Sequence, residues 1–494
     1  MRRNSPAWLL LMTTCSTLTY VAYSQQPFDL DPSFNTEINT WYVSSVMPLP
    51  DGDLLLSGQI RFSGDSPGTF RLLTRVDQLG NRRPWFPYSW GGGRIQPWND
   101  QFYVGEHTVH RLLSTGLVDS SFIHMNADPY FSSLQGGDYH VYPDGRILMS
   151  GVHNLLDSIR GFEGLYCLVW FSNTGYLDTT KTHRTCAGSL DKFTELPNGQ
   201  FIGSGSTGVW DGQQASNIIR FNTDGSLDPS FQANVNWGQA YGFLPLDDGR
   251  VYAAGLFRIL GNPDTLRLAR FTPDGSLDPS FNLLSFETVE TNNGFGAIIS
   301  KVYALDETRL IVVGGYERVN GETRKGICMI DTAGNLLDDH FVDAGCGYYD
   351  YQGFTHGSID GFTQAPNGSY YIWGAYHGYD DGTTNDTTQR MVSRLYGLDV
   401  GISENANTQP KPELAIHPNP ANGWVAFHYD LLVPPTDAYL IVQDLSGREL
   451  YRLQLLEEKH QIVWDTRSIG AGTYIVSLVN KERDLRSEKL VIQQ

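Results

Sequence analysis

The chain has 494 residues, of which 40% are hydrophobic, and its formal net charge is −19 at pH 7. This hydrophobic content is ample for a buried core. An acidic surface repels phosphate backbones, so we expect no nucleic acid partner. Cations or neutral polymers suit such a surface better, although solubility alone also accounts for the charge.

The first 24 residues have the pattern of an export signal. Arg2 and Arg3 give a positive start, an apolar stretch follows, and Ala22 and Ser24 are small residues suited to a cleavage site. The apolar run is too short and too interrupted by Thr and Ser for a membrane anchor. No later segment is apolar enough to span a bilayer. We predict that residues 1–24 are a signal peptide that is removed.

An eight-residue phrase, DGSLDPSF, occurs at Asp224–Phe231 and again, letter for letter, at Asp274–Phe281. A short apolar run such as Leu268–Phe271 precedes each copy. Further upstream lies a hairpin phrase, in which Asp-Gly or Asn-Gly separates two short runs. The hairpin phrase occurs at Leu49–Gly58, Tyr142–Gly151, Leu196–Gly205, Leu244–Gly255 and Ala365–Gly374, and weaker copies without Asp-Gly or Asn-Gly lie at Trp98–Gly105 and Leu305–Gly314. Repetition at intervals of about 45 to 60 residues is typical of propeller blades and indicates structure rather than catalysis.

Each repeat predicts four short antiparallel strands: two around the hairpin turn, one at the apolar run and one at the DGSLDPSF phrase. Seven such units predict an all-β fold with a seven-bladed β-propeller over residues 25–400. The last unit lacks the phrase, but Leu30–Phe34 near the N-terminus supplies it. We therefore expect N-terminal residues to complete the seventh blade. Within the phrase we assign Asp-Gly to a turn, Leu and Phe to packing, and Asp-Pro to a bend.

The combined pattern of hairpin phrase, apolar run and DGSLDPSF phrase resembles the delta-60 repeat, a bacterial β-propeller-type repeat. The resemblance covers about residues 27–400 and is clearest in the fourth and fifth units. It implies a fold and does not imply an activity.

Four cysteines remain after the predicted leader: Cys167, Cys186, Cys328 and Cys346. An even number of cysteines in an exported protein favours disulfides. Cys167 and Cys328 each start a predicted third strand, and the other two lie in links to the next blade on the same face. We predict the disulfides Cys167–Cys186 and Cys328–Cys346.

The long and variable connections fall on one face of the predicted propeller, and function usually resides on such loops. Rigid aromatic faces next to amide and carboxylate groups suit the binding of sugar rings. Packing between blades is the alternative for these aromatic residues. The candidate ligand-binding residues are Trp41, Trp90, Tyr130, Trp237, Tyr348, Tyr349, Tyr351 and Tyr379.

Familiar catalytic motifs are absent from the sequence, among them His-Glu-x-x-His, Gly-x-Ser-x-Gly and the Walker loop. Carboxylates are plentiful, so a glycosidase pair stays open. The acidic loop at residues 380–386 departs from EF-hand spacing. We expect no cofactor, leave calcium open at this loop, and leave enzymatic activity open while favouring a protein that only binds.

Residues 401–412 are rich in Asn and Pro and predict a linker. Residues 413–494 then predict a small immunoglobulin-like β-sandwich. Three phrases occur in order within it: IHPNPANG at Ile416–Gly423, VQDLSGR at Val442–Arg448 and GAGTYIV at Gly470–Val476. They resemble the type A sorting domain of the type IX (Por) secretion system of Bacteroidota. The motif residues are Pro418, Asn419, Pro420, Gly423, Asp444, Gly447, Gly472 and Tyr474.

This second resemblance implies recognition by the type IX secretion machinery, passage through the periplasm and outer membrane, and either release or attachment at the outer cell surface. Together the observations predict an exported β-propeller that binds a glycan or a protein. An enzyme acting on extracellular polysaccharide and a structural or adhesive surface protein are the alternatives. A carboxylate pair in the centre of the ring would favour the enzyme.

Overall fold

The computed structural model describes residues 25–87, 90–105, 107–123, 125, 130–290, 296–351, 353–398, 413–431, 435, 437–480 and 483–493. The predicted signal peptide and linker lie outside these residues. The chain divides into two compact units, Met1–Ile402 and Ser403–Gln494. Both are built from β-strands, which confirms the all-β prediction. In the described part of the chain, no helix has the length and apolar character needed to cross a membrane.

The strands of the first unit follow one another closely along the chain. In order they are β1 (Ile38–Pro48), β2 (Leu54–Phe62), β3 (Arg71–Val76), β4 (Arg94–Trp98), β5 (Gln101–Gly105), β6 (Val109–Leu113), β7 (Phe131–Val141), β8 (Ile147–Asp157), β9 (Phe162–Phe171), β10 (Leu190–Glu195), β11 (Phe201–Gly205), β12 (Val209–Trp210), β13 (Gln213–Gln214), β14 (Ile218–Phe221), β15 (Val235–Pro245), β16 (Val251–Ile259), β17 (Leu266–Phe271), β18 (Phe286–Glu287), β19 (Ile298–Ala304), β20 (Arg309–Gly315), β21 (Arg318–Val319), β22 (Glu322–Thr323), β23 (Ile327–Asp331), β24 (Leu336–Leu337), β25 (Gly345–Cys346), β26 (Tyr349–Tyr351), β27 (Phe354–His356), β28 (Ser358–Gln364), β29 (Tyr370–Asp380) and β30 (Asn385–Leu395).

The main sheets of this unit share one plan, in which strands that follow each other in the chain pair antiparallel. Within the described residues these sheets are β1-β2-β3, β4-β5-β6, β7-β8-β9, β10-β11-β14, β15-β16-β17, β19-β20-β23-β24 and β28-β29-β30, the last with β25 on β29. The first strand of each sheet contacts the first strand of the next, and β28 contacts β1. The sheets therefore form a closed ring with their first strands innermost, which is the predicted β-propeller arrangement.

The two ends of the propeller meet in its last sheet. Leu30 forms an antiparallel bridge with Leu395 on β30. The backbone N–H of Asp31 donates to the carbonyl oxygen of Arg394 over 2.9 Å. Phe34, a few residues further on, is fully buried. The prediction that N-terminal residues complete the last blade is confirmed.

The DGSLDPSF phrase forms less strand than predicted. In its two identical copies the expected fourth strand is a single bridge, Leu227 with Phe221 and Leu277 with Phe271. Beyond the bridge, Asp228 Oδ1 accepts hydrogen bonds from the N–H and the hydroxyl of Ser230, at 2.9 and 2.7 Å. This Asx turn bends the backbone away, and the proline between the two residues has no N–H for a ladder.

An arginine eight residues before the second Asp holds each phrase in place. Arg220 donates from Nε to Asp228 Oδ2 and from Nη2 to Ser230 Oγ, both over 2.8 Å. Its Nη1 reaches the carbonyl oxygen of Pro273, in the next sheet, at 2.6 Å. The guanidinium also lies 5.1 Å from the ring of Phe231. We call this set of contacts the arginine clamp; it joins a blade to its neighbour.

The arginine clamp recurs around the ring. Its other Arg, Asp and Ser members are Arg111, Asp119 and Ser121; Arg270, Asp278 and Ser280; and Arg394, Asp31 and Ser33. In the first sheet the residue eight positions after Arg75 is Arg83 instead of the Asp of the other clamps. Asp53 takes the place of that Asp and accepts hydrogen bonds from Arg75 at 2.7 Å and from Arg83 at 2.8 Å.

The innermost strands carry a β-bulge at equivalent points. In β15 the register shifts between Ala240 and Gly242, and β1, β7, β10, β19 and β28 have the same irregularity. Opposite the bulge stands the last glycine of the hairpin phrase, here Gly255. A Cβ on Gly255 would lie 2.3 Å from the carbonyl oxygen of Gln239. The bulged strand therefore requires glycine at this position of the phrase.

The second unit consists of two sheets. Its strands are β31 (Glu413–His417), β32 (Trp424–Asp430), β33 (Ala438–Asp444), β34 (Glu449–Gln454), β35 (Lys459–Asp465), β36 (Gly472–Asn480) and β37 (Arg483–Ile492). One sheet has the order β31-β32-β35 and the other β34-β33-β36-β37. Side chains from both sheets share one hydrophobic core, which includes Phe427 and Leu478. The unit is therefore a β-sandwich.

Candidate functional site

A cavity of about 440 Å³ lies between the innermost strands of the propeller. We call it the central cavity. Its volume is within the range of small-molecule sites. The polar and aromatic side chains in its lining are Tyr42, Ser44, Ser45, Arg94, Asp138, Tyr139, Lys192, Phe193, Thr194, Tyr241, Phe243, Lys301 and Tyr303.

The cavity lining carries more positive than negative charge, although the whole chain is acidic. Arg94 Nη2 lies 3.2 Å from Asp138 Oδ1 and forms the one ion pair among these side chains in the described part of the chain. Asp360 on β28 accepts a hydrogen bond from the hydroxyl of Ser300 at 3.0 Å. Burial raises the pKa of Asp360, despite this hydrogen bond and the nearby ammonium of Lys301.

The two lysines of the cavity lie near carboxylates without contacting them directly: Asp138 and Asp360 are near Lys301, and Asp138 is near Lys192. Within the described residues neither Lys192 nor Lys301 has a hydrogen-bond or ion-pair partner. Burial, together with the neighbouring Arg94, lowers the pKa of Lys301. Burial would raise the pKa of Asp138, but the charges of Arg94, Lys192 and Lys301 lower it overall.

The β-bulges determine which residues reach this lining. Lys192 and Lys301 directly follow a bulge in β10 and β19, and Asp138 and Asp360 lie within the bulges of β7 and β28. A bulge breaks the alternation of side chains and redirects the residues around it. Because these residues come from different repeats, no spacing in the sequence brings them together.

Three of the eight predicted ligand-binding aromatics lie near the start of an innermost strand. Trp90 precedes β4, Tyr130 precedes β7, and Trp237 lies near the start of β15. Trp90 and Trp237 are 51% and 48% exposed. The guanidinium of Arg258 lies 4.7 Å from the ring of Trp237, and Trp90 stacks on His110 at 4.6 Å. We call Trp90, Tyr130 and Trp237 the rim aromatics.

The predicted aromatics between β25 and β28 contact charged or imidazole side chains. The Nζ of Lys325 lies 5.5 Å from the ring of Tyr348, and Tyr349 stacks on His377 at 4.9 Å. Trp41 and Tyr351 occupy strands β1 and β26, and their side chains lie outside the described part of the structure. The candidate side chains that the structure describes are therefore not gathered into one cluster.

Tyr379 corrects the prediction. It was expected on an exposed loop, but β29 extends to Asp380 and Tyr379 is only 1% exposed. Its side chain belongs to a hydrophobic core with Tyr376 and Cys346. The ring is therefore a packing residue and is not accessible to a ligand.

The acidic loop after β29 uses its carboxylates locally. Asp381 Oδ1 accepts hydrogen bonds from the N–H groups of Thr383 and Thr384, and Asp381 Oδ2 accepts one from the N–H of Leu30. Asp380 Oδ1 accepts one from Gly382. Among the described residues, no group of three or more His, Cys, Asp or Glu side chains is placed to hold a metal ion. Calcium at this loop stays a prediction.

All four cysteines of the structure are free thiols, unlike the predicted disulfides. Cys186 packs against the hydrophobic cluster that contains Cys167, and the two thiols affect each other's pKa. Cys328 and Cys346 belong to different hydrophobic clusters. The structure therefore gives no support to the predicted pair Cys328–Cys346, which stays a prediction.

The motif residues of the second unit make turns and tie its ends together. Asn419 donates to the carbonyl oxygen of Lys489 at 2.7 Å and accepts from the N–H of Val491 at 2.9 Å. The Tyr474 hydroxyl donates to the carbonyl oxygen of Gly470 at 2.6 Å. The other motif residues lie in turns or at a strand boundary: Pro418 and Pro420 follow cis peptide bonds, Gly423 and Gly447 have φ of 83° and 82°, Asp444 accepts from Ser446, and Gly472 begins β36.

Comparison with protein families supports both units. Residues 196–231 and 246–281 match the family described as a domain of unknown function (DUF5122) beta-propeller. Residues 415–493 match the secretion system C-terminal sorting domain. The chain is thus a β-propeller-type protein that carries a Por secretion tail. This tail marks it for type IX export to the cell surface or the medium.

Comparison with solved structures finds propellers of low similarity. PorZ, a surface component of the type IX secretion system of Porphyromonas gingivalis, is 11% identical over 92% of this chain and 81% of that chain, with a TM-score of 0.29. A protein of unknown function from Bacteroides thetaiotaomicron is 11% identical over 75% and 74%, with a TM-score of 0.31. No curated protein sequence matches this chain.

Proposed function

We propose that the protein is an exported binding protein whose propeller recognises an extracellular glycan through the rim aromatics. Export by the type IX system follows from the sorting domain at residues 415–493. The observation that carries the proposal is the exposure of Trp90 and Trp237 at the starts of two innermost strands. Large exposed aromatics offer a flat apolar face for the C–H groups of a sugar ring.

The surroundings of Trp237 support sugar rather than purely apolar recognition. The guanidinium of Arg258 lies over one face of the ring, and its Nε donates to the hydroxyl of Thr265 at 2.8 Å. Charged and polar groups beside an aromatic face provide the hydrogen bonds that sugar hydroxyls require. A protein ligand is the other outcome that the exposed rim allows.

A glycan array with the full exported protein tests this proposal. We expect binding that is lost in Trp237→Ala and weakened in Trp90→Ala. Trp85→Ala is the matched control, because Trp85 is 60% exposed and lies under Arg75 in the outer part of the first sheet. The proposal that the rim aromatics bind sugar would be contradicted if the protein bound no glycan, or if all three variants lost glycan binding equally.

An enzyme acting on polysaccharide is the second candidate, favoured by two carboxylates near the central cavity. The pKa of Asp360 is raised by burial, whereas the nearby cations hold the pKa of Asp138 below its usual value. Carboxyl groups whose pKa values are pushed apart are suited to acid and base roles. Incubation of any bound glycan with the protein and with Asp360→Asn tests this, since turnover by the native protein alone would favour the enzyme.

We further propose that the ring has seven blades and that the second unit is immunoglobulin-like. The seven sheets that share one plan and the contact of β28 with β1 support the first. The immunoglobulin-like assignment is supported by the strand orders of the two sheets of the second unit, one of which joins its first, second and fifth strands, β31, β32 and β35. A crystal structure of the exported protein would test both.

A further inference from the structure

We propose that the central cavity is a second binding site, which holds a small monocarboxylate between Lys192 and Lys301. The site is distinct from the rim, because none of the rim aromatics lines the cavity. The proposal goes beyond glycan recognition at the rim and does not depend on it.

The unpaired lysines are the first reason. Lys301 lies in the cavity lining with no ion-pair or hydrogen-bond partner in the described part of the chain, and the same holds for Lys192. A partly buried charge without a direct partner is costly, and ionisable groups with a perturbed pKa cluster at functional sites. Arg94 cannot serve as a partner, because it is itself a cation and is paired with Asp138.

The arrangement of the backbone is the second reason. Both lysines directly follow a β-bulge, in β10 and in β19. Each bulge brings the backbone against a glycine that tolerates no Cβ: at Gly205 a Cβ would lie 2.2 Å from the carbonyl oxygen of Ser189, and at Gly314 it would lie 2.3 Å from that of Ile298. The strands thus hold the backbone of both lysines in a fixed position beside the cavity, as a preorganised site requires.

Charge balance indicates the class of ligand. Three cations, Arg94, Lys192 and Lys301, stand against one carboxylate of the lining, Asp138, and Asp360 lies near Lys301. The set therefore attracts an anion, and Asp138 disfavours an anion of high charge. A carboxylate carries one charge, whereas a phosphate monoester carries about 1.5 to 2 and would be repelled by Asp138.

Two sources could supply this carboxylate: an acidic sugar or a free organic acid. The cavity volume of about 440 Å³ accepts either as a small molecule. Hydroxyl groups of Tyr42 and Thr194 in the lining suit the hydroxyls of a sugar. Both ligands would bind in the same way: their carboxylate would accept charge-assisted hydrogen bonds from the two lysine ammonium groups.

Calorimetric titration of the full exported protein tests the proposal. The probes are D-galacturonate, D-galactose as its uncharged counterpart, lactate and inorganic phosphate. We expect galacturonate to bind and galactose not to bind. Lactate binding with equal affinity identifies a free organic acid as the ligand, and weaker or no lactate binding identifies an acidic sugar.

Variants locate the site. Lys301→Gln and Lys192→Gln should each weaken carboxylate binding by about tenfold or more, as expected for loss of a charge-assisted hydrogen bond. Lys181→Gln, which changes a lysine outside the cavity, should leave it unchanged. Unfolding midpoints within the range of the native protein show that the variants are folded.

The proposal is overturned by any of three results: no carboxylate binds, phosphate binds more tightly than every carboxylate, or both cavity variants bind as the native protein does. Trp237→Ala should leave carboxylate binding intact. The rim and the cavity are therefore judged by separate measurements.

Discussion

Arg394 donates from Nε to Asp31 Oδ2 over 2.8 Å, and so joins the last strand of the propeller to residues 363 positions earlier in the chain. Both side chains are largely buried, each 11% exposed. The same guanidinium reaches Ser33 Oγ and the carbonyl oxygen of Gln78. This arginine clamp therefore links the last blade, the N-terminal segment and the first blade.

Removing this clamp should loosen the closure of the ring. We expect Arg394→Ala to lower the free energy of unfolding by about 2 kcal/mol or more, because it leaves Asp31 largely buried without its charge partner. Hydrogen exchange should increase first at residues 28–34. Arg146→Ala is the control: its pair with Asp144 is exposed, so we expect a change within about 1 kcal/mol. Equal effects of the two variants would contradict the role of the clamp.

The clamps also predict the response of the protein to acid. Burial would raise the pKa of Asp119 and Asp228, but hydrogen bonds from Ser and Arg lower both to about 2, below the ordinary value of 3.8. A carboxyl group whose pKa is lower in the folded than in the unfolded state stabilises the fold at pH values above its unfolded pKa. This stabilisation is lost as the pH falls through the folded pKa. We therefore expect stability to decline between about pH 4 and about pH 2.

Denaturant unfolding at a series of pH values measures this decline. Asp228→Asn removes one of the titrating groups, so its stability should depend less steeply on pH in this window than that of the native protein. Stability that rises on acidification from pH 4 would contradict the assignment, since it requires carboxyl groups with raised pKa values.

The glycine opposite each bulge should not tolerate a side chain. In Gly255→Ala the new Cβ would lie 2.3 Å from the carbonyl oxygen of Gln239 and 2.6 Å from the Cα of Ala240. Overpacking against backbone costs about 1–3 kcal/mol or more. Thermal unfolding should show this loss, whereas Gly64→Ala has no atom within 4 Å of its Cβ and should behave as the native protein.

The thiols predict a specific pattern of oxidation. Peptide mapping of exported protein, prepared without reductant, should show Cys167 joined to Cys186, because Cys186 packs against the hydrophobic cluster that contains Cys167. Cys328 and Cys346 should stay reduced and react with alkylating agents only after unfolding. Burial raises the pKa of each of these two thiols to about 12 and keeps them unreactive. A recovered Cys328–Cys346 peptide would contradict this expectation and confirm the pair predicted from the sequence.

The propeller and its closure could be predicted from the repeat phrases, because the turns and strands of each phrase depend on residues that are neighbours in the sequence. Asp-Gly and Asn-Gly turns, alternating runs and the displaced phrase at Leu30–Phe34 are all visible in the sequence. The arginine clamp was missed, although a signal for it exists: Arg220 and Arg270 each stand eight residues before the second Asp of the phrase.

The candidate sites were predicted less well, because they depend on relations between distant repeats. Lys192 and Lys301 meet at the cavity only through the ring closure and the bulges, and a bulge leaves no pattern of its own in the residues around it. Tyr379 was misplaced because β29 is longer than the sequence indicated and includes this residue. The end of a strand cannot be located from turn residues alone.

The closure of the ring also sets an order of events in biosynthesis. Residues 28–34 are made early, yet their partners on β30 are among the last of the propeller to be made. A growing chain therefore has an unfinished sheet edge and an unengaged N-terminal segment until residue 396 has emerged. A truncated chain that lacks the last sheet cannot close the ring. Only a chain that includes β30 can pair its N-terminal segment and complete the propeller.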